Sequence, residues 1–225
     1  MPKPMPDARG GRGKGYRGSK RVTTYKLTLV NQSETAWWMY AYQAPQQQAS
    51  GFLCPVWMCS PFMIAPNVNC TFEWAPDYIF VWGAVGVLAP GVVFSANETL
   101  PADLQTANST NFSVTPEPRF SPPGKGSPPG SFTISVGGSV PGDTFSIGIG
   151  MGDSATFVLP AASNRNYTIT PAPTYWIAAG TNVQVGTILE ASAVKQNFQV
   201  TFPPNIFAVT CTLDKNGKWS QASSD

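Results

Sequence analysis

Val68-Asn69-Cys70-Thr71-Phe72-Glu73-Trp74 alternates between apolar and polar side chains without a break. A period of two places Val68, Cys70, Phe72 and Trp74 on one face of an extended strand and Asn69, Thr71 and Glu73 on the other. The same alternation runs outward in both directions. Tyr25, Leu27 and Leu29 flank Lys26 and Thr28. Phe132, Ile134 and Val136 alternate with Thr133 and Ser135, and Phe145, Ile147 and Ile149 with Ser146 and Gly148. Tyr167 and Ile169, then Phe198, Val200 and Phe202, then Phe207, Val209, Cys211 and Leu213 repeat it. Each run is short and bounded by Gly, Pro, Asn or Asp, the pattern of sandwich strands, and roughly 11–14 strands are predicted. The 22 prolines are spread along the chain and would break most helices. The best helix candidate is Thr187 to Gln196, but Gly186, Thr187 and Ile188 favour a strand.

The predicted fold is all-β: an antiparallel, jelly-roll-like β-sandwich of residues 22–225 behind a flexible basic arm of residues 1–21. Trp74, Phe80, Trp82, Phe145, Ile147, Phe198 and Val209 are the expected core. Pro141-Gly142-Asp143 reads as a hairpin turn. Pro116 to Gly130 (PEPRFSPPGKGSPPG) reads as a long surface loop; a cut there would give two domains instead of one.

Charge is sparse and uneven. Charged residues are 12% of the chain, about half the usual share, while hydrophobic residues reach 42%. Residues 1–26 carry eight Lys and Arg against Asp7, a net +7; the remainder carries six against eleven carboxylates, a net −5. The arm sets Arg9, Arg12, Lys14, Arg17, Lys20 and Arg21 among glycines around Tyr16. Guanidinium forks on a pliable backbone suit phosphates and acidic surfaces; a solvated tail is the plainer alternative. Residues 1–24 lack an apolar segment of secretory type, and no run of about 18 apolar residues exists. A cytoplasmic location without a membrane span is expected, with non-classical export as the alternative.

The chain has no histidine. Ser–His–Asp and Cys–His catalysis are therefore excluded, together with most zinc sites. Glu73 and Asp77 could flank a site, but nothing fixes their separation; a strand edge and a turn are the plainer assignment. Gly148, Gly150 and Gly152 (SIGIGMGDS) open no helix and have no phosphate-loop lysine, so close strand packing or a bulge is expected. Asp143 and Asp153 bracket them without making a calcium cage. Cys54, Cys59, Cys70 and Cys211 lack metal-ligand spacing. They read as buried thiols, or as a disulfide from Cys54 or Cys59 to Cys70. Six N-x-[ST] sequons, at Asn31, Asn69, Asn97, Asn108, Asn111 and Asn166, read as β composition and not as glycan sites. No catalytic group, metal or cofactor is expected.

The segment Thr35 to Gln43 (TAWWMYAYQ) departs from the pattern. Trp37, Met39 and Ala41 fall on one face; Trp38, Tyr40 and Tyr42 fall on the other. A half-buried strand would carry polar residues on its second face. Either the strand is covered on both sides within the fold, or its aromatic face packs on another subunit, or it stacks a sugar or similar ring.

The blocks YKLTLVNQS (25–33), FEWAPDYIFVWG (72–83), LAPGVVFSA (88–96), LPADL (100–104), SIGIGMGDSATFVLPA (146–161), NYTITPAPTYWIAAG (166–180), QVTFPPNIFAVTCTL (199–213) and NGKW (216–219) resemble the RhiA-like proteins. The resemblance covers about residues 25–220, and GIGMGxSxTFV is its most specific phrase. It implies a protein without an assigned enzymatic activity, tied in rhizobia to quorum-regulated expression and plant interaction. It transfers no catalytic or ligand residue. The arm and the Pro-rich insert near 121–130 depart from the rhizobial pattern.

The leading expectation is a non-enzymatic structural protein that self-associates into a homo-oligomer or filament, its arm contacting neighbouring subunits. A nucleic-acid-packaging shell protein using the arm is the alternative. A carbohydrate-binding module using Trp38, Tyr40, Tyr42 or Trp57 is the third.

Overall fold

β-branched and aromatic residues at alternate positions, cut by proline and glycine, leave the backbone only extended segments to form. The computed structural model describes residues 23–44, 51–171, 174–190 and 197–222; among these every regular element is a strand. The strands are β1 (Tyr25–Asn31), β2 (Trp38–Ala44), β3 (Met58–Cys59), β4 (Asn69–Trp74), β5 (Tyr78–Gly83), β6 (Glu98–Ala102), β7 (Ser109–Ser113) and β8 (Arg119–Phe120). They continue with β9 (Phe132–Val136), β10 (Ser146–Met151), β11 (Ser154–Pro160), β12 (Asn166–Ile169), β13 (Thr174–Gly180), β14 (Phe198–Val200), β15 (Ala208–Leu213) and β16 (Trp219–Gln221). They form four sheets of four strands, ordered β16-β15-β1-β4, β11-β10-β5-β6, β12-β9-β7-β8 and β14-β13-β2-β3.

This is finer than the predicted strand count because two of the strands, β3 and β8, are only two residues long. It also differs from purely antiparallel pairing: β1 runs parallel to β15, and β7 to β9. Parallel neighbours need long connections, so strands distant in sequence become partners in a way that no local pattern announces.

Two apolar layers hold the sheets together. In the larger, Phe80, Trp82, Ile147, Ile149 and Phe157 meet Phe112, Phe132, Ile134 and Val136 from the facing sheet, with Tyr40, Tyr42 and Ala44 of β2 closing one end. In the smaller, Leu27, Leu29, Phe72, Trp74, Val209 and Cys211 meet Met39, Ala41 and Ile177. Alternate residues of β2 thus enter opposite layers, and the strand is covered on both faces within the chain. That is the first of the three readings of its double aromatic pattern.

Of the expected core, Trp74, Phe80, Trp82, Phe145, Ile147 and Val209 are buried. Phe198 is only half-buried, because β14 is the edge of its sheet.

Glu98 ties the two sheets of the larger layer. Its Oε2 accepts from the Trp82 indole N–H at 2.5 Å and from the Phe120 backbone N–H at 3.0 Å.

Two loop expectations need correction. Pro141–Asp143 is not a hairpin turn: β9 pairs with β12 and β7, whereas β10 pairs with β5 and β11. The turn carries the chain between sheets, and the buried Val140 beside it anchors it in the larger layer. The segment Pro116 to Gly130 is not a featureless loop. It runs back along β7 through β8 and the Ser109–Gly124 bridge, and it buries Phe120. One apolar side chain and a few paired backbone groups suffice to tack down a proline-rich strand edge. Thr187 and Ile188 make bridges to Val93 and Pro55, as strand-forming residues should; residues 191–196 of that candidate helix lie outside the described residues.

Candidate functional site

The basic arm lies outside the described residues, and Arg9, Arg12, Lys14, Tyr16, Arg17, Lys20 and Arg21 with it. The four aromatic candidates are described, and they separate. Tyr40 is 8% exposed, Tyr42 0% and Trp57 2%. All three are core side chains, a correction to their assignment as interface or sugar contacts. Trp57 donates its indole N–H to the Met151 carbonyl at 2.8 Å and packs on Trp74 and Tyr175. Asn197 donates to the Tyr42 hydroxyl at 3.0 Å. Burial raises the Tyr42 phenol well above its ordinary range, partly offset by that amide. Only Trp38, at the start of β2, stays partly accessible.

Trp38 lines a hollow of 360 Å³ with Cys59, Ser60, Pro61, Asn182, Val183, Gln184 and Val185. Pro61 leads directly into Phe62 and Met63, which are 60% and 44% exposed, and Val185 is 44% exposed. The result is an apolar surface beside the shortest edge strand of its sheet, β3.

A second concavity, of 540 Å³, opens where the sheets containing β13–β14 and β15–β16 approach each other. It is lined by Trp37, Ala179, Asn197, Phe198, Leu213, Gly217, Lys218 and Trp219. Two of its walls are fixed by polar networks. The Trp37 indole N–H donates to Ser33 Oγ at 3.1 Å, and that hydroxyl donates to Asn31 Oδ1 at 2.6 Å. The Asn31 amide in turn donates to the Thr35 and Ile64 carbonyls, each at 2.8 Å. On the other side, Asp214 Oδ1 accepts from the Asn216 and Lys218 backbone N–H groups, both at 2.8 Å. These bonds close the turn before Trp219, and the one from Lys218 is the main cause of the lowered Asp214 carboxyl pKa. Sequence reasoning missed this cleft. Its aromatic residues come from segments 182 positions apart.

The remaining candidates lie apart from both concavities. Glu73 pairs with Lys26 at 3.3 Å with both side chains more than half exposed, a surface pair of small energetic worth. The Asp77 carbonyl accepts from Gly152 N–H at 2.8 Å. Gly148 and Gly150 sit at the close β10–β11 approach, with a register shift after Ile149. Asn31 and Asn108 are fully buried sequon asparagines whose amides bond backbone carbonyls, so neither can take a glycan. Among the described residues no group of three His, Cys, Asp or Glu could hold a metal.

All four cysteines are free thiols, which sets aside the disulfide alternative for Cys54, Cys59 and Cys70. Cys54 and Cys59 pack into the larger layer and Cys70 into the smaller. Burial pushes Cys54 and Cys211 up to about 12 and Cys70 up to about 11, and it raises Cys59 as well. They are protonated near neutral pH, the opposite of an activated nucleophile.

A pH dependence follows. An unfolded thiol titrates near 8.5, below its folded counterpart, so the unfolded chain releases protons first. Stability is complete below about pH 8.5 and falls as pH rises toward about 11–12. Urea midpoints are expected to be lower at pH 10.5 than at pH 8, with a shallower decline in Cys54→Ala and Cys211→Ala. An equal midpoint at both pH values in the parent chain would show that the thiols are already solvated.

The RhiA family model matches residues 22–224. The chain belongs to the RhiA family. It is 39% identical to Protein RhiA of Rhizobium leguminosarum bv. viciae over 197 residues, covering 88% of this chain and 85% of the relative. No solved structure matches it. The RhiA match begins at the end of the basic arm and spans both apolar layers, the Trp38 hollow and the Trp37–Trp219 cleft.

Proposed function

We propose that this RhiA-family chain is a non-enzymatic structural protein whose layered, sandwich-type body associates with copies of itself, the basic arm reaching a neighbouring subunit. The observation that carries this is the exposed apolar group of Phe62, Met63 and Val185 beside the Trp38 hollow. A charge content of 12% leaves little repulsion to keep copies apart. The absence of histidine and the protonated thiols leave few groups suited to general-base or nucleophilic work. The net-acidic body is an electrostatically suitable target for the arm of another copy, and an extended arm could also pair with an exposed sheet edge.

Light scattering across a concentration series tests the reading. The full chain is expected to form oligomers. Phe62→Ser with Val185→Ser should raise the midpoint for assembly by about tenfold or more, since two apolar anchors at an interface centre carry energies of that order. Deleting residues 1–21 should leave a folded body and weaken assembly; added salt should weaken it partially. A full chain that stays monomeric at high concentration sinks the proposal. Nucleic acid that co-purifies with the full chain and is lost on deletion of the arm replaces it with the packaging reading.

A further inference from the structure

We propose that the Trp37–Trp219 cleft binds a sugar ring carrying an anionic group, such as a uronate residue of an oligosaccharide. This is independent of self-association, which rests on the Phe62–Val185 surface and shares no lining residue with the cleft.

Three observations carry it. First, the cleft has the size of a small-ligand site at 540 Å³ and is open to solvent, so a unit within a longer chain can enter without threading. Second, its apolar surface is aromatic, from Trp37, Phe198 and Trp219. The indoles are only half-buried, although indole is among the most valuable side chains to bury. Flat rings of this kind receive the axial C–H face of a pyranose. Third, the walls are preorganised. The buried Asn31–Ser33 network ends on the Trp37 indole N–H, so the ring plane is held before any ligand arrives. The Asp214 turn holds the strand start that presents Trp219. A rigid aromatic wall loses little entropy on binding.

The choice of an anionic sugar comes from charge. Lys218 is the one ionisable side chain lining the cleft among the described residues; it is exposed, no carboxylate lies within ion-pair distance of its ammonium, and Asp214 of the same turn acts on it only through space. Asp214 in the same turn spends its Oδ1 on backbone N–H groups. A carboxylate on the ligand therefore meets one cation in the cleft lining, its field partly offset by the Asp214 carboxylate behind it.

An array of short neutral and uronate-containing oligosaccharides, probed with the full chain and followed by calorimetric titration, tests the site. Binding to uronate oligosaccharides is expected. Trp219→Ala should weaken it about tenfold or more, the scale of a lost aromatic anchor. Lys218→Gln, a surface change that leaves the fold intact, should weaken it about fivefold and erase the preference over neutral sugars. Trp38→Ala, outside the cleft, should leave it unchanged. Circular dichroism confirms folding, and Trp219→Phe, which keeps a ring, should retain most of the affinity. Absence of binding to any sugar overturns the proposal. Binding unaffected by both Trp219→Ala and Lys218→Gln also overturns it, and assigns the uronate to the basic arm.

Discussion

Trp57→Ala is expected to lose about 3–5 kcal/mol of folding free energy from the deleted indole and its cavity. A further ~1–3 kcal/mol is expected from the Met151 carbonyl left without its donor. A domain of this kind has only about 5–15 kcal/mol in total, so the variant should be largely unfolded near its parent's working temperature. The reasons are local. Trp57 is 2% exposed, its ring lies 5.1 Å from Trp74 and 5.9 Å from Tyr175, and its N–H reaches β10 in another sheet. It therefore connects the smaller apolar layer to the sheet that walls the larger one. Trp38→Ala, at a half-exposed ring, should stay within about 1 kcal/mol of the parent. Urea denaturation of the pair checks both. Equal midpoints for the two variants would show that Trp57 is not the buried connector that its contacts describe.

That contrast shows what could be read in the sequence. Trp38 and Trp57 look alike there, each an indole in an apolar run, and both stand as candidates for a ligand contact as well as for the core. Periodicity assigns a residue to a face but does not say what covers the face. Tyr40 and Tyr42 were placed correctly opposite Met39 and Ala41, yet only the packing of a second sheet on that side shows that they are interior. The strands were legible wherever alternation was strict: β4 carries Phe72 and Trp74 inward and Glu73 outward as its pattern requires. Pairing was not legible. The parallel partnership of β1 with β15 joins Leu29 to Cys211 across most of the chain, and no local propensity encodes such a distance. The Pro141–Asp143 turn misled for the same reason, since two adjacent alternating runs need not be neighbours in a sheet. The Trp37–Trp219 cleft exists only after that long-range pairing has formed.

Gly148→Ala is expected to prevent native pairing of β10 with β11, a larger effect than any surface change discussed above. Gly148 has no need of a positive φ; its constraint is space. A methyl group built there falls far inside van der Waals contact of the Phe157 carbonyl oxygen and 2.9 Å from Val158 Cα. Both obstacles are backbone, so no rotamer change relieves them. Gly148 pairs with Val158 in the ladder, and Val158 is fully buried, its backbone N–H donating to the Leu53 carbonyl at 3.1 Å. Moving β11 aside would therefore also break its contact with the segment around Leu53. Moving β10 instead would displace Ile147 and Ile149 from the larger layer, since they alternate with Gly148 along the same strand. Overpacking a core costs about 1–3 kcal/mol where side chains can adjust; with backbone on the other side the cost should exceed that range. Gly142→Ala, where a methyl meets nothing within 4 Å, is the matched control and should be near neutral. Soluble yield and the circular dichroism melting curve of the two variants decide it. A Gly148→Ala protein that melts with the parent would mean that β10 and β11 do not approach as closely as the structure shows.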